Sequence, residues 1–229
     1  MVASRDVHLL GSPDGRVRMG VARPPAVVWL GRGGVRWREP ATLVVAYAGA
    51  GALGVAGALG SGHNPLSCTA WLGTRGAAAC LLSLGLGVLA GAATIAATHA
   101  MVGRWRWARD LCVALRPSAQ YSSDRALLAV ALAGASGEEL LFRGWLVPAL
   151  GIVASSVVFG ALHQVRGPAR WGWMAWATVM GLVFAAVFTA TGSLAGPLVA
   201  HAAINHANLK FLRDSRPVVR RPLGGILRR

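Results

Sequence analysis

Acidic residues are scarce in this sequence and nearly absent from its second half. Between Arg125 and Asp214 the only two are Glu138 and Glu139. Charged residues make up 14% of the 229 positions against 55% hydrophobic ones, and mean hydropathy is +0.52. That balance excludes a soluble domain of this length, which could not bury so much apolar surface. The three cysteines, Cys68, Cys80 and Cys112, are too few and too far apart for a disulfide framework or a Cys-x-x-Cys metal site. His-Glu-x-x-His, which sets two zinc ligands on one helix face with a base between them, is missing. The first 40 residues lack any sustained apolar run, which excludes a secretory signal or a span there. With seven arginines and four prolines they read as a basic, unstructured tail. Internal repeats are also missing, so the inverted-repeat plan of many transporters has no support.

What the chain does have is apolar runs of about 20 residues, the length that crosses a hydrocarbon core of ~30 Å. Six stand out, at 41–59, 77–101, 125–143, 148–165, 171–191 and 194–212. The fold class expected is therefore all-α, a polytopic transmembrane helix bundle of about six spans. Basic residues sort by loop. With an even number of spans and the N-terminus inside, 21 of the 23 Lys and Arg fall in inner segments, leaving Arg75 outside and Arg143 at a span end. The positive-inside rule then places both termini in the cytoplasm of a multi-pass cell-membrane protein. Because topology accounts for the net charge of +15, no nucleic-acid partner is implied. The division expected is a basic tail over 1–40, two packing spans and a linker over 41–124, a chemically distinctive core over 125–212 and a basic tail over 213–229.

In the first two spans Gly49, Gly51, Gly54, Gly57, Gly85, Gly87 and Gly91 supply small surfaces that let helices approach closely in lipid. Trp105, Arg106, Trp107, Arg109 and Arg116 before Pro117 suit a short helix lying in the inner interface. Trp171, Trp173 and Trp176 read as an interfacial aromatic anchor.

The adjacent glutamates lie inside the third apolar run, where an ionised carboxylate costs roughly 2.5–3.5 kcal/mol on insertion scales and needs compensation. Glu139 and Arg143 are four apart and share a helix face, so they can pair. Glu138 points about 100° away and is free for another partner. Candidate partners are His163, and His201 with Asn205, again four apart on one face. Two glutamates, two histidines and an asparagine on three spans form a polar cluster that packing does not require. His206, five beyond His201, reads as interfacial.

The order Glu-Glu-x-x-x-Arg at 138–143, Phe-x-x-x-His at 159–163 and His-x-x-x-Asn at 201–205 resembles the CAAX-protease and bacteriocin-processing (CPBP, or Abi) family of intramembrane proteases. Phe142-Arg143-Gly144 and Thr191-Gly192-Ser193-Leu194 match its usual flanks, and the resemblance covers about 125–212. It implies an endopeptidase that cuts a membrane-anchored or lipidated protein or peptide within the lipid bilayer. Glu138 would be the base, His163 would help to activate water, His201 and Asn205 would stabilise the oxyanion, and Glu139 would complete the catalytic set. Zinc held by Glu138, His163 and His201 is an alternative, since two histidines and a carboxylate leave a fourth position open. The reading favoured is metal-free, because each group also has a direct role without an ion.

Two other readings compete. Gly134-Ala135-Ser136-Gly137 matches the Gly-x-Ser-Gly of rhomboid-type serine proteases, with His201 as base. A transporter or immunity-type membrane protein could use the same cluster to bind a proton, ion or peptide. One spacing is awkward. At 1.5 Å per residue, Glu138 and His201 fall about 10 Å from the outer face, but His163 counted from Pro148 falls about 12 Å deeper. A re-entrant or interfacial turn over 144–151, in which Pro148 and Gly151 delay the start of the fourth span, is the expected repair.

Overall fold

A computed structural model describes residues 40–215, so the expectations for the two basic tails lie outside the described residues. Among the described residues there are helices and no strands, only one isolated antiparallel bridge between Ser67 and Ser193. The helices are α1 (Pro40–Gly60), α2 (Gly76–Arg104), α3 (Arg106–Leu115), α4 (Asp124–Glu139), α5 (Val147–Leu162), α6 (Ala169–Thr191) and α7 (Ala195–Asp214). Large apolar side chains line the outside, among them Val45, Leu53, Leu81, Leu89, Val153 and Val157, each more than half exposed. A water-soluble bundle would hide such residues, whereas a bilayer is their natural solvent. The chain is an all-α integral membrane protein.

Four stretches are long and apolar enough to span: α1, α2, residues Asp124–Leu162 as one 39-residue stretch, and α6. The α7 helix has the length, at 20 residues, but His201, Asn205, His206, Asn208 and Lys210 lower its apolarity. Such polarity in a span is tolerated only on a face turned toward other helices.

The expected turn over 144–151 is not there. Ser123 caps α4 by accepting from the Ala126 amide at 3.2 Å, and the helix then continues through a π-helical segment, Leu140–Leu146, directly into α5. Pro148 does not break it, since in the first turn of α5 its missing N–H and fixed φ are harmless. The direction changes instead at Gly151, with φ 81° and ψ 169°, a conformation that only glycine adopts readily. The fourth expected span, 148–165, is therefore shorter than the sequence suggests. From Ile152 to Leu162 it rises only about 16 Å, roughly half a bilayer.

Small residues bring helices into contact selectively. A Cβ on Gly54 would stand 2.6 Å from the Leu140 and Leu141 backbone, one on Gly51 3.3 Å from Gly137, and one on Gly57 would overlap the Trp145 ring, so α1 lies directly on the end of α4 and the π segment. Gly87 and Gly91 seat α2 on Gly196 and Ala200 of α7 in the same way. Gly49 and Gly85 meet nothing within 4 Å and face outward.

The loops sort into two ends. At one, residues 61–75 pack over the α6–α7 turn through Trp71 N–H to Thr189 O (2.9 Å), Leu194 N–H to Leu66 O (3.1 Å) and Thr74 Oγ1 to Thr191 O (2.9 Å). Gly192 turns the chain there with φ 75°. At the other, Trp107 of α3 packs on Gly172 of α6, and Arg213 binds Asp124 at 2.7 Å, tying α7 to the start of α4. Among the described residues, Arg104, Arg106, Arg109, Arg116, Arg125, Arg166, Arg170, Lys210 and Arg213 belong to this second end, and only Arg75 to the first.

Candidate active site

Glu138 and Glu139 end the regular part of α4, and the 100° between them sends their side chains to different tasks. Glu139 is fully buried. Its Oε1 accepts from Arg143 Nη1 at 3.0 Å and from His201 Nδ1 at 2.7 Å. Arg143, 1% exposed, also donates from Nη2 to the Gly181 carbonyl of α6 at 3.1 Å. Its guanidinium lies 4.8 Å from the Phe159 ring centre and 5.2 Å from that of Phe184. Such aromatic faces stabilise a cation that water cannot reach. The i, i+4 pair expected from the sequence is thus the hub of a network joining α4, the π segment, α6 and α7. The π segment starts right after the glutamates, and wide helical turns of this kind occur often beside functional residues.

Glu138 looks the other way. Its Oε2 stands 3.6 Å from His201 Nε2 and 3.9 Å from His163 Nε2. The side chains of Glu138 and His163 keep 17% and 21% exposure, so this side of the cluster is reachable, unlike Glu139. His163 ends α5, where its Nδ1 contacts the Phe159 carbonyl at 2.7 Å. A carbonyl can only accept, so Nδ1 carries the hydrogen, and Nε2 of the neutral ring keeps its lone pair. His201 Nδ1 faces the Arg143-paired carboxylate of Glu139, which imposes the same tautomer. Both imidazoles therefore present a basic Nε2 to one carboxylate oxygen, and that oxygen has no hydrogen-bond partner among the described residues.

Aromatic rings hold the histidines in place. Trp173 meets His163 edge-on at 5.4 Å, and Phe159 lies 4.4 Å from the same ring. Phe184 lies 5.3 Å from His201. Trp173 is thus a packing partner of the cluster rather than only an interfacial anchor. Its position, four beyond Ala169 at the start of α6, fits the interfacial pattern and carries no hint of the contact. Phe184 and Gly181 are equally silent in the sequence, being ordinary residues of an apolar span.

The depth mismatch of His163 shrinks once α5 is counted from Gly151. Twelve residues instead of fifteen remove about 4.5 Å, and the side chains meet across the rest. Asn205 is the outlying member. It shares a face of α7 with His201, but its Nδ2 lies against Gly134, 3.5 Å from where a Cβ would be, beside the Tyr47 ring. Ser136 belongs to α4 but makes no hydrogen bond to His201, whose Nδ1 is taken by Glu139. His206 Nδ1 is buried and without a partner among the described residues, so its ring is not simply at the interface. No three His, Cys, Asp or Glu side chains among the described residues are arranged as a metal-ligand set, and Glu138, His163 and His201 approach one another without forming one.

Residues 125–207 match the family described as Type II CAAX prenyl endopeptidase Rce1-like. Over that core the chain is similar to the CAAX-protease, or CPBP, family. The matched segment runs from the start of α4 to just past the middle of α7 and contains the whole Glu/His cluster. It begins after α1, α2 and α3, so the helices that pack against the matched core lie outside the match. The family is one of proteases, which agrees with a carboxylate and two basic imidazoles gathered in an apolar bundle. No curated protein and no solved structure matches the chain.

Proposed function

We propose that the protein is an intramembrane endopeptidase that hydrolyses a peptide bond near the lipid anchor of a membrane-bound chain through water activated by Glu138. The observation that carries this reading is the convergence of His163 Nε2 and His201 Nε2 on Glu138 Oε2, while Glu139 is held by Arg143 and His201. A carboxylate and a free imidazole lone pair can share one water and take its proton as the oxygen attacks a carbonyl. Separations of 3.6 and 3.9 Å are too long for direct hydrogen bonds, so these atoms keep their hydrogen-bonding capacity unspent.

In this division of labour Glu138 accepts the proton and His163 orients the attacking water. His201 is steered by Glu139, as the acid member of a triad steers its histidine. Asn205 supplies an amide donor toward the oxygen that becomes negative in the tetrahedral intermediate, and a donor fixed in a water-poor site is effective there. The glutamate mechanism is preferred to a serine one, because the histidine a serine would need already has a glutamate beside each of its ring nitrogens. The substrate class proposed is a prenylated CAAX-type peptide, after the family's description. The positive-inside rule supports cytoplasmic termini, since the basic end of the bundle carries Asp214 and the start of α1.

The test is hydrolysis of a farnesylated peptide ending in a CAAX sequence, by the purified full chain in vesicles. Glu138→Gln keeps size and hydrogen bonding but cannot take a proton, and loses ~10²–10⁴ in rate. Ser136→Ala retains activity. A dead Ser136→Ala beside an active Glu138→Gln would shift the assignment to a serine protease.

A further inference from the structure

The α1 helix carries two polar side chains, Thr42 near its start and Tyr47 two turns in, and is otherwise small or apolar. Tyr47 is not on the lipid side. Its carbonyl packs on the bare face of Gly137, where a Cβ would overlap it. Its ring carbons Cε2 and Cζ lie 3.4 and 3.5 Å from the point a Cβ would take on Gly134. Asn205 Nδ2 lies 3.5 Å from that same point. Tyr47 of α1 and Asn205 of α7 therefore stand against one patch of α4 from two other helices.

That patch leads to the site. Gly134 and Glu138 are four apart and share a face of α4. Tyr47 is half-buried, and among the described residues its hydroxyl makes no hydrogen bond, so it remains free to donate. The glycines at 134 and 137 explain why a ring as large as tyrosine fits between α1 and α4 at this level. The position lies outside the matched CPBP segment, which starts at residue 125.

Resting on the protease reading, we propose that Tyr47 completes the active site from α1, its hydroxyl acting with the Asn205 amide as a hydrogen-bond donor to the oxygen of the scissile carbonyl. The phenol donates more strongly as negative charge develops on that oxygen, so its contribution is larger in the transition state than in the bound substrate. As water oxygen bonds to the carbonyl carbon, its proton passes to Glu138, and the carbonyl electron pair moves onto the oxygen that Tyr47 and Asn205 face. No proton leaves Tyr47.

The experiment compares Tyr47→Phe, Tyr121→Phe and Glu138→Gln with the unaltered chain on the farnesylated CAAX peptide, measuring kcat and KM separately, with unfolding stability in the same vesicles. Phenylalanine keeps the ring against Gly134 and removes only the hydroxyl. Tyr47→Phe is expected to lower kcat about 10²-fold, the scale for one lost oxyanion donor, with KM nearly unchanged and stability preserved. Tyr121, 78% exposed, serves as the neutral control. A Tyr47→Phe enzyme with unaltered kcat beside an inactive Glu138→Gln overturns the role of Tyr47 and leaves the glutamate mechanism standing. A kcat loss matched by an equal loss of folded protein overturns it too. Full activity in Glu138→Gln removes the protease reading underneath, and the Tyr47 role with it.

Discussion

Replacing Arg143 by methionine tests the network that holds the site. The side chain is 1% exposed and makes three kinds of contact: the 3.0 Å pair with Glu139, the 3.1 Å bond to the Gly181 carbonyl and the faces of Phe159 and Phe184. Methionine keeps much of the packing volume but none of the charge. Lost aromatic contact accounts for ~0.5–2 kcal/mol. Gly181 O sits inside α6, where the helix ladder also engages it, so its share is small. The dominant effect is on Glu139, which stays fully buried with His201 as its one remaining donor and with Oε2 already without a partner among the described residues. Removing one member of a buried pair costs ~3–5 kcal/mol, because the other charge is left uncompensated. Arg143→Met is therefore expected to destabilise by about that amount in reversible unfolding from mixed micelles, followed by helical circular dichroism. Adding Glu139→Gln removes the stranded charge and is expected to recover most of the loss, since a neutral pair in place of a buried ion pair is often nearly neutral. Arg143→Met within about 1 kcal/mol of the parent, or a double variant no better than the single, would show that the pair does not carry the load assigned to it.

Glycine variants should divide by what they face. Gly87→Val, whose Cβ would overlap the Gly196 backbone, should lose about 1–3 kcal/mol by overpacking, while Gly85→Val, with open space beside it, should stay within ~0.5 kcal/mol in the same unfolding assay. Topology is best read at His63, which is exposed in the α1–α2 loop. In a cysteine-free background, His63→Cys should react with an impermeant maleimide in intact cells and Arg166→Cys should not, and the opposite pattern would invert the orientation. Native Cys68 is a poor probe, because burial raises its thiol above the ordinary range and Sγ faces the Phe188 carbonyl at 3.7 Å. A raised value means less thiolate at neutral pH, so Cys68 labelling should be slow there and accelerate as pH rises through its titration. Hydrolysis of the farnesylated peptide should continue in the presence of a strong zinc chelator, and reversible loss restored by zinc would return Glu138, His163 and His201 to the role of ligands.

The sequence by itself determined the features that periodicity and the cost of polarity in lipid dictate. Apolar runs defined a helix bundle, and the i, i+4 spacing of Glu139 and Arg143 defined an ion pair, because helix geometry relates residues on one helix without knowledge of any other. The same logic joined His201 to Asn205 and marked the two glutamates as the candidate chemical centre. What only the tertiary structure decided was every relation between helices. Gly151 rather than Pro148 makes the break, since a proline in a first turn suits a helix and a glycine at φ 81° does not, and this sets the depth of His163. Glu139 serves His201 rather than only Arg143, because the register of α7 against α4 brings Nδ1 to 2.7 Å. Tyr47 lies some ninety positions before Glu138 with no motif around it, and Gly49 looks like Gly51 until α1 is docked. Such contacts depend on the rotation and crossing of packed helices, which ridges and bare glycine faces fix in three dimensions and which no spacing along one chain encodes.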